Sequence, residues 1–137
     1  MKKICLAIIV TTLISISGFS QNEKQKVIFI YSFTKYISWP AGSNQGDFII
    51  GVLASPTMSK ELKIIASKRK VGMRSIKILD FASAGSMRDC HIVYVPKSRA
   101  GDLGNVIEKY KQKAVVVVAD APGSVQKGAA INFIVVG

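Results

Sequence analysis

Cysteine and histidine are nearly absent from this chain. It holds two cysteines, Cys5 and Cys90, and one histidine, His91. Cys5 belongs to an N-terminal stretch that reads as a leader. Cys90 then has no partner for an internal disulfide, and an oxidising compartment adds no covalent staple. Cys90 is left as a small buried hydrophobe or as a thiol for an intermolecular bond. His91 follows it at the start of an apparent strand, where neighbouring side chains point to opposite faces, and no carboxylate cluster stands by to complete a metal set. The enzyme motifs are missing as well. No G-x-G-x-x-G follows a strand and no G-x-S-x-G elbow occurs. Gly123 and Gly128 have P-loop spacing, but Ala129 and Ala130 stand where Lys and Ser/Thr are required. With neither a nucleophile–base pair nor a metal set to name, no catalysis, cofactor or metal is expected. Proline is scarce, no tract is of low complexity, and 49% of residues are hydrophobic, which argues for a packed core and against disorder.

Acidic residues are also few: 8 against 19 Lys and Arg, a net charge of +11. Such a value usually suggests nucleic acid, but the N-terminus points outside the cytoplasm. Lys2 and Lys3 form a positive n-region, Ile4 to Ile16 is an apolar run too short to span a bilayer comfortably, and Gly18 and Ser20 supply small residues before a cleavage site at Gln21. Residues 1–20 are therefore expected to be a signal peptide. Residues 21–137 are expected to form a single exported domain with no transmembrane span after cleavage. Anionic membrane, anionic polysaccharide or an acidic protein fits that compartment better than nucleic acid. Part of the charge is local, at Lys68, Arg69, Lys70, Arg74 and Lys77. These residues form either a solvated face that offsets a helix dipole or a binding patch.

The most aromatic stretch runs from Lys26 to Pro40. Phe29, Phe33 and Ile37 recur at helical spacing, and Val27, Ile30, Tyr31 and Thr34 form a second stripe beside them. Two adjacent apolar stripes predict a helix buried on most of its circumference, ending near Ser38 ahead of Pro40. Phe48–Ala54 reads as a buried strand. Ser55-Pro56 then opens a helix with Met58, Leu62, Ile65 and Ala66 inward and Gly72 as its C′ residue. Ser75–Phe81 alternates like a strand, 82–89 is a loop or a helical turn, and His91–Pro96 is a strand. Asp102 caps a helix with Leu103, Val106, Ile107 and Tyr110 on one face. Ala114–Ala119 is an uncharged interior strand and Ala129–Val136 a last one. This order predicts an α/β fold: a compact sandwich with a largely parallel central sheet and helices on both faces.

Three polar residues stand in apolar company. Asp120 lies at the carboxyl end of a strand, where open α/β sheets bind ligands. Lys35 lies in the aromatic helix and Asn132 in the last strand. Each also has a structural reading, as turn cap, snorkelling cation and buried hydrogen-bond partner. Trp39 is a core plug or part of a recognition surface. With Arg69 and Arg74 of the basic cluster, these residues form the candidate binding set.

Tyr31-x-Phe33-x-Lys35-Tyr36-x-x-Trp39-Pro40 resembles the opening signature of the YfiR-like periplasmic proteins. Phe48–Leu53, Cys90–Val95, Val117–Asp120 and Gly128–Phe133 resemble the later strands of that family, in order, over residues 26–136. The resemblance implies a compact α/β sandwich, often a homodimer, located in the periplasm. It also implies a regulator that binds the periplasmic domain of a membrane diguanylate cyclase, holding it inactive and keeping cyclic-di-GMP and biofilm formation low. A sensor kinase is an equally available partner. The alternative is a periplasmic module for an aromatic or anionic small molecule. Redox control in some members of the family uses cysteine pairs, which Cys90 cannot form within the exported chain. Members usually continue past the last matched strand with a further strand and a helix, so 21–137 is expected to lack that C-terminal unit.

Overall fold

The computed structural model describes residues 22–134. The expected signal peptide falls outside the described residues. Helix α1 covers 22–33. It is followed by strand β1 (Phe48–Leu53), helix α2 (Pro56–Lys68), strands β2 (Lys70–Val71), β3 (Arg74–Phe81) and β4 (Ile92–Val95), helix α3 (Leu103–Tyr110), and strands β5 (Val116–Ala119) and β6 (Ile131–Asn132). The sheet order is β2-β3-β1-β4-β5-β6. Only β2 runs antiparallel to its neighbour; the other pairs are parallel. The predicted α/β sandwich with a largely parallel sheet is the fold observed.

The strands follow from composition. β4 is buried throughout and β1 nearly so, because a strand covered on both faces needs a continuous apolar run rather than alternation. Two crossovers of one hand leave the sheet centre in opposite directions and so place their helices on opposite faces. β1–α2–β3 and β4–α3–β5 do this. One core layer joins Val27 and Ile30 of α1 and Met58 and Leu62 of α2 to Ile50, Ile92 and Val118. The other joins Leu103, Val106 and Tyr110 of α3 to Val93, Val117 and Phe81. Gly51 is required by the second layer: a Cβ there would lie 2.5 Å from the Phe81 ring.

Several expectations are corrected. α1 is not buried on most of its circumference. Val27, Ile30 and Thr34 face inward, whereas Ile28 and Phe29 are 56% and 55% exposed. Regular helix stops at residue 33, not near Ser38. The Thr34 hydroxyl donates to the Tyr31 carbonyl at 2.6 Å, and the amides of Thr34, Lys35 and Tyr36 bond three residues back. Gly72 is not a helix C′ residue. It occupies the two-residue turn between β2 and β3 at φ 60°, the first position of a tight hairpin, where glycine is favoured. Ser55 and Asp102 stand at N-cap positions but make no side-chain cap, and the Asp102 carboxylate instead accepts from Arg99 at 2.7 Å. The last strand is two residues long among those described, and Val135 and Val136 lie outside them.

Candidate functional site

β1 sends the chain toward β3 and β4 sends it toward β5, so a crevice opens beyond the carboxyl ends of β1 and β4. It encloses about 530 Å³ and is lined by Ser55, Lys97 and Phe133 around a buried polar group: Lys26, Tyr94 and Asp120. Lys26 comes from the inner face of α1, with the residue 7% exposed. Its ammonium donates to Asp120 Oδ2 and lies 3.5 Å from Glu23. Tyr94, buried in β4, donates its hydroxyl to the same Asp120 oxygen at 2.7 Å. Burial first, and then the Asp120 carboxylate, pushes the Tyr94 hydroxyl well above its ordinary range, so it remains a donor. Two ions withdrawn from water compensate only when paired and hydrogen-bonded, and this arrangement provides both. Another cleft, about 800 Å³ between α2 and β3, carries instead an exposed Lys63–Asp80 pair at 2.9 Å.

A second cluster seals the opposite end of the sheet. His91 stacks on Phe48 at 4.7 Å, and Trp39 meets both rings edge-on at 5.3 Å and 5.7 Å. Nδ1 of His91 accepts the Ile49 amide at 3.0 Å, and Nε2–H donates to the Ser43 carbonyl at 2.9 Å. Those two bonds require a neutral ring. Burial, aided by the neighbouring Arg74 cation, holds the His91 pKa below its ordinary value. Arg74 in turn donates to the carbonyls of Gln45, Gly46 and Asp47 at 2.8–3.1 Å. Its guanidinium is therefore committed to holding the 41–47 loop.

The six candidate binding residues are thus divided among three places. Asp120 lies in the crevice, and Asn132 is in β6 beside it, paired in register with Ala119. Trp39 and Arg74 lie at the opposite end. Lys35 and Arg69 lie on the outer surface: the Lys35 ammonium sits 5.1 Å over the Tyr31 ring, and Arg69 is the exposed residue closing α2. Cys90 is 7% exposed in the α3 layer, its thiol 3.6 Å from the Tyr110 hydroxyl, and burial pushes its pKa up. The buried partners Lys26 and Tyr94 were not among the candidates. Their signal was a lone lysine on an inward helical stripe and a tyrosine in an uncharged strand, each needing a polar partner. Among the described residues no group of three His, Cys, Asp or Glu could hold a metal, and no helix is long and apolar enough to cross a membrane.

A largely parallel α/β sandwich with a buried ion pair at its switch point defines the structural class. Comparison with known families gives the particular one: residues 23–137 match the YfiR/HmsC-like family model, and the chain belongs to that family. No curated protein matches the chain.

Lys26→Met should cost about 3–5 kcal/mol in chemical denaturation, because it strands the Asp120 charge; Lys26→Met combined with Asp120→Leu should recover most of the loss. A neutral Lys26→Met would contradict the buried pairing. The neutral His91 ring adds a pH dependence. A base whose folded pKa is depressed contributes stability that is fully present above its unfolded pKa of about 6.5. That contribution falls as pH drops through this value toward the folded pKa. Thermal melts should decline from pH 7 to pH 5, above the range where Asp80 and Asp89, both held low, titrate. His91→Gln should flatten that segment.

Proposed function

We propose that this protein is a periplasmic regulator without catalytic activity of its own. It binds the extracytoplasmic sensor domain of an inner-membrane signalling enzyme, a diguanylate cyclase or a sensor kinase, and represses it, lowering cyclic-di-GMP output. The observation that carries this reading is membership of the YfiR/HmsC-like family over residues 23–137. The outer face of α1 supports it. Ile28 and Phe29 are more than half exposed, Phe133 lies 6.3 Å from the Phe29 ring, and Ile134 is exposed beside it in sequence. A contiguous apolar patch of this kind is what protein interfaces cover. Repression then requires only that the chain bind the inactive partner more tightly than the active one. The crevice supports a second reading, in which a small molecule binds beside Lys26 and Asp120 and acts as the release signal.

A pulldown from envelope extract should recover a membrane protein carrying a cyclase or kinase domain. Phe29→Glu should reduce that recovery about tenfold or more with an unchanged melting temperature. Repeated recovery of no such protein by the folded chain, or equal recovery by Phe29→Glu, would count against the proposal and its interface respectively.

A further inference from the structure

The β2–β3 hairpin carries a surface that neither the crevice nor the outer stripe of α1 uses. From Leu62 to Leu79 the chain has six cations and no carboxylate. Lys63 pairs with Asp80, and Arg74 is held by loop carbonyls. Lys68, Arg69 and Lys70 are exposed and form no ion pair among the described residues. Lys35 joins them, because Tyr31 beneath its ammonium donates its hydroxyl to the Lys70 carbonyl at 3.2 Å. Two side chains stand out on this cationic surface: Met73 at the hairpin tip, 93% exposed, and Tyr36 just past α1, 85% exposed.

We propose that this face docks on an anionic lipid bilayer. Lys35, Lys68, Arg69 and Lys70 lie over the headgroups, and Met73 and Tyr36 reach into the interfacial layer. Charge complementarity selects an anionic occupant, and each cation near such a surface strengthens binding about fivefold. The two tips select lipid over an acidic protein. A protein interface gathers its apolar anchors into one desolvated centre. Met73 and Tyr36 are on different elements, Met73 at the tip of the hairpin that carries Lys70 and Tyr36 next to exposed Lys35. A fluid headgroup layer takes up separate tips, tyrosine at the headgroups and an apolar side chain below them. The inference does not depend on which membrane protein is the partner.

The test is co-sedimentation of the chain from Gln21 onward, which carries the whole described domain. The vesicles are phosphatidylcholine with about a third phosphatidylglycerol, compared with phosphatidylcholine alone. Binding should require the anionic lipid and weaken as salt shortens the screening length. The triple variant Lys68→Gln, Arg69→Gln, Lys70→Gln should bind about a hundredfold more weakly with an unchanged melt, and Met73→Gln should reduce the binding that persists at high salt. Lys109→Gln, Lys111→Gln, Lys127→Gln removes the same charge elsewhere and should cost less than about fivefold. Equal losses from the two triples would reduce the effect to net charge and overturn the proposal. Absence of binding to anionic vesicles by the folded chain would overturn it too. If the hairpin triple then abolished recovery of the membrane partner, this face would be a protein-docking surface.

Discussion

The contact between Lys26 and Asp120 fixes how the first helix sits on the sheet. Each charge is largely withdrawn from water and compensated by the other, and Tyr94 adds a third group that needs the same carboxylate oxygen. Turning α1 by one residue, roughly 100°, would carry the ammonium away and leave the Asp120 carboxylate with the Tyr94 hydroxyl alone. The apolar stripes alone do not choose between rotations, because both are hydrophobic enough to pack. The buried ion pair makes the choice. With Lys26 inward, Val27, Ile30 and Thr34 follow it, and Ile28 and Phe29 are left outside. The same rotation brings Tyr31 to the Lys70 carbonyl and so ties the helix to the hairpin.

That dependence explains what could and could not be read in the sequence. β1, β4 and β5 were legible because buried parallel strands announce themselves as uncharged runs. Asp120 was placed correctly at a strand's carboxyl end because Asp120-Ala121-Pro122-Gly123 breaks such a run with turn residues. The rotation of α1 was not legible, since it is set by a contact 94 positions away in sequence. Nor was β2, whose two residues carry no periodicity. Arg74 looked like one member of a basic cluster. Its role emerges only when three loop carbonyls converge on it, and the sequence of the 45–47 loop gives no hint of that convergence.

The two ends of the sheet differ in kind. At the amino ends, His91, Arg74, Trp39 and Phe48 interlock; His91 and Arg74 bond backbone groups of β1 and the 43–47 loop, which suits a structural plug. At the carboxyl ends, charged groups border an open crevice. α1 belongs to both the crevice and the exterior, giving Lys26 to one and Phe29 to the other. In the regulator reading, that makes α1 the element through which occupancy of the crevice would be felt by a partner outside. Such coupling needs a ligand that interacts differently with the docked and loosened positions of the helix.

Thiol labelling of two single variants tests the central claim most directly. Phe29→Cys and Thr34→Cys place a reactive group on the outer and inner sides of the same stretch, while native Cys90 is buried. Fast labelling at position 29 and strong protection at position 34, lost when Lys26→Met is added, is the result this account predicts. Protection at both positions would mean a helix buried on all sides. Fast labelling at both would mean that the ion pair does not hold α1 on the sheet.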